Sequence, residues 1–198
     1  MAALVLTIGI GVGVARSGEL DGPSAYVELP VPVPLPSAAL IDTDGRPYDL
    51  RDHLAGRMTL LFFGYTNCPD ACPIQLAVLA KSFDALPSDV RARLSVVFVT
   101  TDPGRDTPER LRQYLDGFDS SFVGLTGSVG ELSDLQIAAG VPVAVAEQPA
   151  TDGTYLVGHA TQVLVFEEDG FARRAYPFGV RQSDWVHDLP YLAAQVGS

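Results

Sequence analysis

The chain has 198 residues, 24 acidic against 13 basic side chains and a formal charge of -11. That length suits one α/β domain with a sizeable core plus a tail, and is short for two independent enzymatic domains. The acidic balance supplies no basic stripe to neutralise phosphates, which argues against nucleic acid as a partner and fits a solvated acidic surface.

The first apolar run, Ala2 to Val14, carries no charge and ends at Arg16. A spanning helix needs roughly 20 apolar residues, so residues 1–16 read as part of a membrane anchor or signal whose charged front is missing. A disordered start or a short buried helix is the alternative, because Gly9, Gly11 and Gly13 weaken a helix there. No cysteine follows the run to carry a lipid. An anchor would put the domain on the extracytoplasmic side of the cell membrane, where thiols meet oxidants and metals more freely. Residues 17–37 read as a linker. Its Leu29 to Ser37 stretch alternates proline with apolar residues, the pattern of an extended polyproline spacer.

Residues 38–198 form the expected domain. Ala39 to Asp42 and Arg46 to Leu50 flank the turn dipeptide Asp44-Gly45, a small hairpin, with Asp49 or Asp52 placed to open a helical turn. Thr59 to Phe63 is a buried strand that stops just before the cysteines. A helix from Pro73 to Leu86, ended by Pro87, leads to a second buried strand, Leu94 to Thr100. Thr107-Pro108-Glu109 then opens a helix, with Thr107 as cap and Pro108 at the first position. Ser121 to Leu125, a helix from Ser128 to Ala139, strands Thr161 to Phe166 and Phe171 to Tyr176, and a helix from Ser183 to Val196 complete the pattern. Strand-helix-strand followed by strand-strand-helix around a central mixed sheet is the thioredoxin-like α/β order.

The only two cysteines lie in Asn67-Cys68-Pro69-Asp70-Ala71-Cys72-Pro73. A helix already running through Cys68 would bring Pro73 against the carbonyl of Pro69, so the helix is expected to start at Pro73 with Cys72 as its cap. Both thiols then sit at a helix amino terminus, where unpaired amides and the macrodipole favour thiolate. A three-residue spacer allows the sulfurs to converge on an external atom or on each other. Redox dithiol, metal ligands and structural disulfide all remain open on this evidence.

Three histidines could add a ligand. His53 reads as part of a solvated turn and His187 as an exposed helical residue. His159 directly precedes the apolar strand Thr161 to Phe166, and in a thioredoxin-like sheet that segment faces the cysteine loop. Ordinary members carry a cis-proline there; Ala160-Thr161-Gln162 has none, which shifts the balance toward coordination. Two thiolates suit monovalent copper, and an added imidazole also suits the divalent ion.

Phe62-Phe63-Gly64-Tyr65-Thr66-Asn67-Cys68-Pro69-Asp70-Ala71-Cys72-Pro73, Thr101-Asp102-Pro103-Gly104-Arg105-Asp106-Thr107-Pro108, and His159 ahead of its strand together resemble the Sco/SenC copper proteins that assemble cytochrome c oxidase. The resemblance covers about Ser37 to Ala194. It implies a thioredoxin-like fold, a copper ion held by Cys68, Cys72 and His159, and delivery to the dinuclear copper site of the oxidase. An upstream copper donor and a thiol reductant are the further partners this implies, since oxidation of the pair to a disulfide would switch binding off. Asn67 stands where the family often has histidine, and Gly158 where it often has aspartate. Asp102 matches an acidic residue kept near the family's site; with Arg105 and Asp106 it could equally organise a turn and cap a helix. The rival from another class is a thiol-disulfide reductase using Cys68 and Cys72 as its redox-active pair. A peroxidase fits less well: Thr66 is present, but the loop shows no arginine.

Overall fold

The computed structural model describes residues 25–195. The run read as an anchor, Ala2 to Val14, and the Val196 end of the last helix lie outside the described residues. Among the described residues, no helix is long and apolar enough to cross a membrane.

In chain order the elements are β1 (Val27–Pro34), β2 (Ala39–Asp42), β3 (Pro47–Asp49), α1 (Leu50–Leu54), β4 (Met58–Gly64), α2 (Ala71–Ala85), α3 (Ser88–Ala92) and β5 (Leu94–Thr100). They continue with α4 (Pro108–Asp116), β6 (Val123–Thr126), α5 (Val129–Ala138), β7 (Val145–Ala146), β8 (Val157–Gly158), β9 (Val163–Phe166), β10 (Phe171–Tyr176) and α6 (Gln182–Gln195). Local chemistry explains several boundaries. Asp49 opens α1 by accepting from the Arg51 and Asp52 amides, Thr107 caps α4 ahead of Pro108, and Ser128 and Glu131 form a reciprocal capping box on α5.

The main sheet runs β1-β10-β9-β4-β5-β6-β2-β3. Strands β4, β5 and β6 are parallel, and every other pairing is antiparallel. The β4-α2-β5 crossover followed by β9-β10-α6 is the expected thioredoxin-like arrangement. Strand β4 is buried at every residue because both its faces are covered. Met58, Leu60 and Phe62 point into a core shared with Leu76, Leu79 and Phe83 of α2, Leu111 of α4 and Trp185 of α6. Leu61 and Phe63 point the other way, toward Leu50 and Leu54 of α1 and Leu132 and Leu135 of α5.

The Pro-rich stretch corrects one expectation. Val27–Pro34 is not a free spacer outside a domain beginning at residue 38; it is the outermost strand of the sheet, paired with β10 at Val27–Ala175, Glu28–Arg174, Val33–Ala172 and Pro34–Phe171. Polyproline and strand backbones occupy neighbouring φ/ψ values, and an edge strand has amides that need no partner. Leu29 and Val33, packed against the core, supply the burial that turns an extended segment into a strand.

Register positions the site. Strand β9 is antiparallel to β4, with Val163 opposite Phe62, so the residues just before β9 arrive beside the carboxyl end of β4. That is where the cysteine loop begins.

Candidate metal centre

Beyond Gly64 the chain leaves the sheet, and the Cys68 amide bonds back to the Tyr65 carbonyl at 3.1 Å. Helix α2 starts at Ala71 with Asp70 as cap, two residues earlier than expected. Pro73 is tolerated because Pro69 stays outside the helix and amides of the first turn have no intrahelical acceptor. Cys72 is therefore inside the first turn rather than at the cap. Its amide donates to Cys68 Sγ at 3.4 Å, so the expected helix-terminus environment is realised at Cys68. The Cys72 sulfur occupies space that only a glycine at position 64 leaves free: a Cβ there would lie 2.6 Å from it and 2.7 Å from the Phe98 ring.

His159 follows β8 directly and meets this loop. Its Nε2 lies 3.5 Å from Cys72 Sγ, and its Nδ1 lies 2.8 Å from the Ala160 carbonyl oxygen. A carbonyl can only accept, so Nδ1 is the donor of that bond and Nε2 is the ring nitrogen that faces the sulfurs. The imidazole sits edge-on to Tyr65 and Phe62. One donor atom from each of Cys68, Cys72 and His159 fits within a 4.8 Å span. Two sulfurs and a ring nitrogen that close form a soft donor set, suited to copper rather than to calcium or magnesium.

The thiols are unequal. Hydrogen bonding to Cys72 pulls Cys68 down to about 4; burial opposes this, and the His159 side chain and the Cys72 and Asp70 amides reinforce it. Cys72 is pushed far up by its bond to the ionised Cys68 and by burial. Cys72 is fully buried while Cys68 is 7% exposed and His159 partly so, which leaves the Cys68 and His159 side as the open one. Both cysteines are free thiols.

A family model described as SCO1/SenC matches residues 37–194. The chain belongs to the SCO1/SenC family. A Stutzerimonas stutzeri protein provisionally named as copper-binding is 38% identical over 158 residues, covering 80% of this chain and 76% of that protein. The solution structure of apo Sco1 from Thermus thermophilus superposes with a TM-score of 0.75 at 31% identity, over 86% of this chain and 97% of that one. Yeast Sco1 with copper bound gives 0.73 at 26% identity, over 84% and 90%. The chain spans less of other curated relatives, 63% of a SCO2-like protein of Rickettsia prowazekii and 43% of mitochondrial SCO2 of Saccharomyces cerevisiae.

Around the Cys-Cys-His group of this SCO1/SenC protein the structure assigns places to the remaining candidates. His53 stacks on Tyr48 with centroids 4.0 Å apart, and His187 pairs with buried Asp188 at 2.8 Å; neither is in the Cys-Cys-His group. Asp102 accepts from the Tyr155 hydroxyl at 2.9 Å and pairs with Arg105, so it reaches the segment before His159 as well as ordering its own turn.

The larger role belongs to Asp106, which the turn-and-cap reading underrated. Fully buried, it accepts from the Thr66 amide at 3.0 Å, the Thr66 hydroxyl at 2.6 Å and the Thr100 hydroxyl at 2.7 Å, tying the cysteine loop to the end of β5. The loop itself holds no arginine, as expected, but one arrives from another element. Arg110 reaches over from α4, donating to Thr66 Oγ1 at 2.8 Å and to Asn67 Oδ1. A search confined to the loop misses it because it lies 43 residues beyond Asn67 in sequence. Gly158, the other departure from the family pattern, is exposed at the end of β8.

Proposed function

We propose that this chain binds one copper ion through Cys68, Cys72 and His159 and delivers it to the dinuclear copper site of cytochrome c oxidase. The reading is carried by the His159 imidazole, whose Nε2 lies 3.5 Å from Cys72 Sγ although the two residues are 87 apart in sequence. A dithiol reductase has no need of that ring. Copper is the cargo rather than a resident catalyst, so the site has to release it. Cys72 forms the closed base, and an incoming thiolate enters on the Cys68 and His159 side before an outgoing ligand leaves. Both sulfurs have to be reduced for loading, which gives a thiol reductant and an upstream copper donor their place. The domain works on the extracytoplasmic side of the cell membrane, with the apolar run Ala2 to Val14 as part of its tether.

The decisive experiment is an anaerobic titration of the reduced chain with copper(I), in competition with a chelator, and with a divalent ion. His159→Ala is expected to weaken the divalent ion by on the order of tenfold or more and copper(I) by less, since two thiolates alone satisfy the monovalent ion. Undiminished affinity for both ions would remove the third ligand from the account.

The inequality of the thiols favours a second activity at the same pair, thiol-disulfide exchange with the oxidase's copper-site cysteines. Cys68 thiolate attacks the partner's disulfide, releasing one partner thiol and leaving a mixed disulfide. Cys72 then displaces the second, so one disulfide forms here as one is reduced there. This activity survives in His159→Ala, which separates the two readings.

A further inference from the structure

The half of the site that brings His159 is held by side chains. Strands β7 and β8 pair with each other and form a sheet separate from the main one. The bonds from Glu147 to Leu156, Ala150 to Thr154 and Gly153 to Ala150 are likewise internal to the hairpin. Its ties to the body are the burial of Val157, the Val157 amide donating to the Tyr65 hydroxyl at 3.2 Å, the Ala144 amide donating to Gln136 Oε1 at 2.7 Å, and a cluster centred on Arg105. Arg105 donates to Asp102 through Nε and to the Tyr155 carbonyl through Nη1 at 3.1 Å. Its guanidinium lies 3.5 Å from the centre of the Tyr155 ring and 5.6 Å from that of Tyr65. Tyr155 closes the circuit with its own bond to Asp102 at 2.9 Å. One planar cation thus touches the end of β5, the residue that opens the cysteine loop, and the hairpin that delivers the histidine.

We infer that Arg105 is a positioning residue that fixes the reach of His159 and so sets how tightly the site holds a divalent ion relative to a monovalent one. The inference rests on the assignment of Cys68, Cys72 and His159 as ligands. A lysine could not reproduce the arrangement, because it lacks both the flat face and the fork. Copper(I) is satisfied by two thiolates, and these stand on the better-anchored half. A divalent ion gains from the imidazole, whose position depends on the clamp.

The test compares wild type, Arg105→Met and Tyr155→Phe, the last removing only the bond to Asp102 and so remaining usable if the arginine variant folds poorly. Copper(I) is titrated against a chelator, and cobalt(II), a divalent probe that does not oxidise thiols, is followed by its thiolate charge-transfer bands. Arg105→Met is expected to lower cobalt affinity by about tenfold and Tyr155→Phe by about threefold, with copper(I) changing by less than about twofold. In a His159→Ala background the Arg105 substitution is expected to add nothing. In the metal-free protein the Val157 amide is expected to exchange with solvent about tenfold faster in Arg105→Met. Equal losses for the two ions, an undiminished effect without His159, or unchanged exchange at Val157 each overturns the proposal. A wild type that binds neither ion sinks the copper reading instead, and the exchange measurement then decides the clamp on its own.

Discussion

The cysteine loop and the histidine hairpin meet at one point but are supported in different ways. The loop grows out of β4, a strand buried on both faces, and is tied down by a fully buried Asp106 and by the first turn of a 15-residue helix. The hairpin rests on one short ladder, one buried valine, the Ala144 bond to Gln136 and the side chains around Arg105 and Tyr65. The proposed copper carrier would benefit from this division: the sulfurs are fixed by the fold, and the imidazole is held by contacts that can be strengthened or weakened separately.

The comparison breaks first if the thiol chemistry turns out to depend on the hairpin. An ordinary thiol is only about 3% ionised at pH 7, and its alkylation rate rises on the order of 200-fold between pH 6 and 9. With its pKa at about 4, Cys68 is expected to react at a nearly constant rate over that range, while Cys72 stays protonated and slow. Because the bond to Cys72 is the largest lowering influence and His159 a lesser one, Cys72→Ala is expected to restore the steep pH profile and His159→Ala to leave it shallow. Site-resolved mass spectrometry measures both, and a steep profile in His159→Ala alone would reverse the roles of the two halves. The same shift has a stability consequence. The folded value lies below the unfolded one, so the unfolded chain binds the extra proton between pH 9 and 4, and the contribution of Cys68 is lost as pH falls through the folded pKa.

Next in size is the anchor of the loop. Asp106→Ala removes the acceptor of three hydrogen bonds, leaving the Thr66 amide without its partner, and is expected to cost about 3 kcal/mol in chemical denaturation. A loss below about 1 kcal/mol would mean that the loop holds itself. Smallest is the hairpin tie. Tyr65→Phe deletes the acceptor of the Val157 amide and is expected to cost about 1 kcal/mol, with the increase in hydrogen exchange confined to the hairpin. Faster exchange spreading into β4 would show that the two halves are one cooperative unit.

Much of this division was legible in the chain, and for definite reasons. The strands β4, β5 and β9 announce themselves because burial on both faces demands continuous apolar runs, and their thioredoxin-like order places His159 near the cysteines. The start of α2 was off by two residues because a proline tolerated anywhere in the first turn does not mark which position is first. β1 was read as a spacer because proline periodicity masks the partly buried Leu29 and Val33. Strands β7 and β8, two residues each, are too short to carry any periodicity. Asp106 sat inside a recognised motif whose turn-forming composition already accounted for an acid locally. Its partners Thr66 and Thr100 come from different strands' ends, and only the folded sheet brings them together. Gly64 is legible in hindsight from its chemistry: a glycine closing an apolar strand shortly before two cysteines marks a place where another atom approaches the backbone closely.

The outer rim of the sheet has a property of its own. Pro30, Pro32 and Pro34 punctuate β1, and proline has no amide to offer a neighbouring chain. The border formed by β1, already irregular between Glu28 and Val33, is therefore a poor template for a further strand. Addition of a strand on that side is disfavoured by the same residues that look, in the sequence, like a mere spacer.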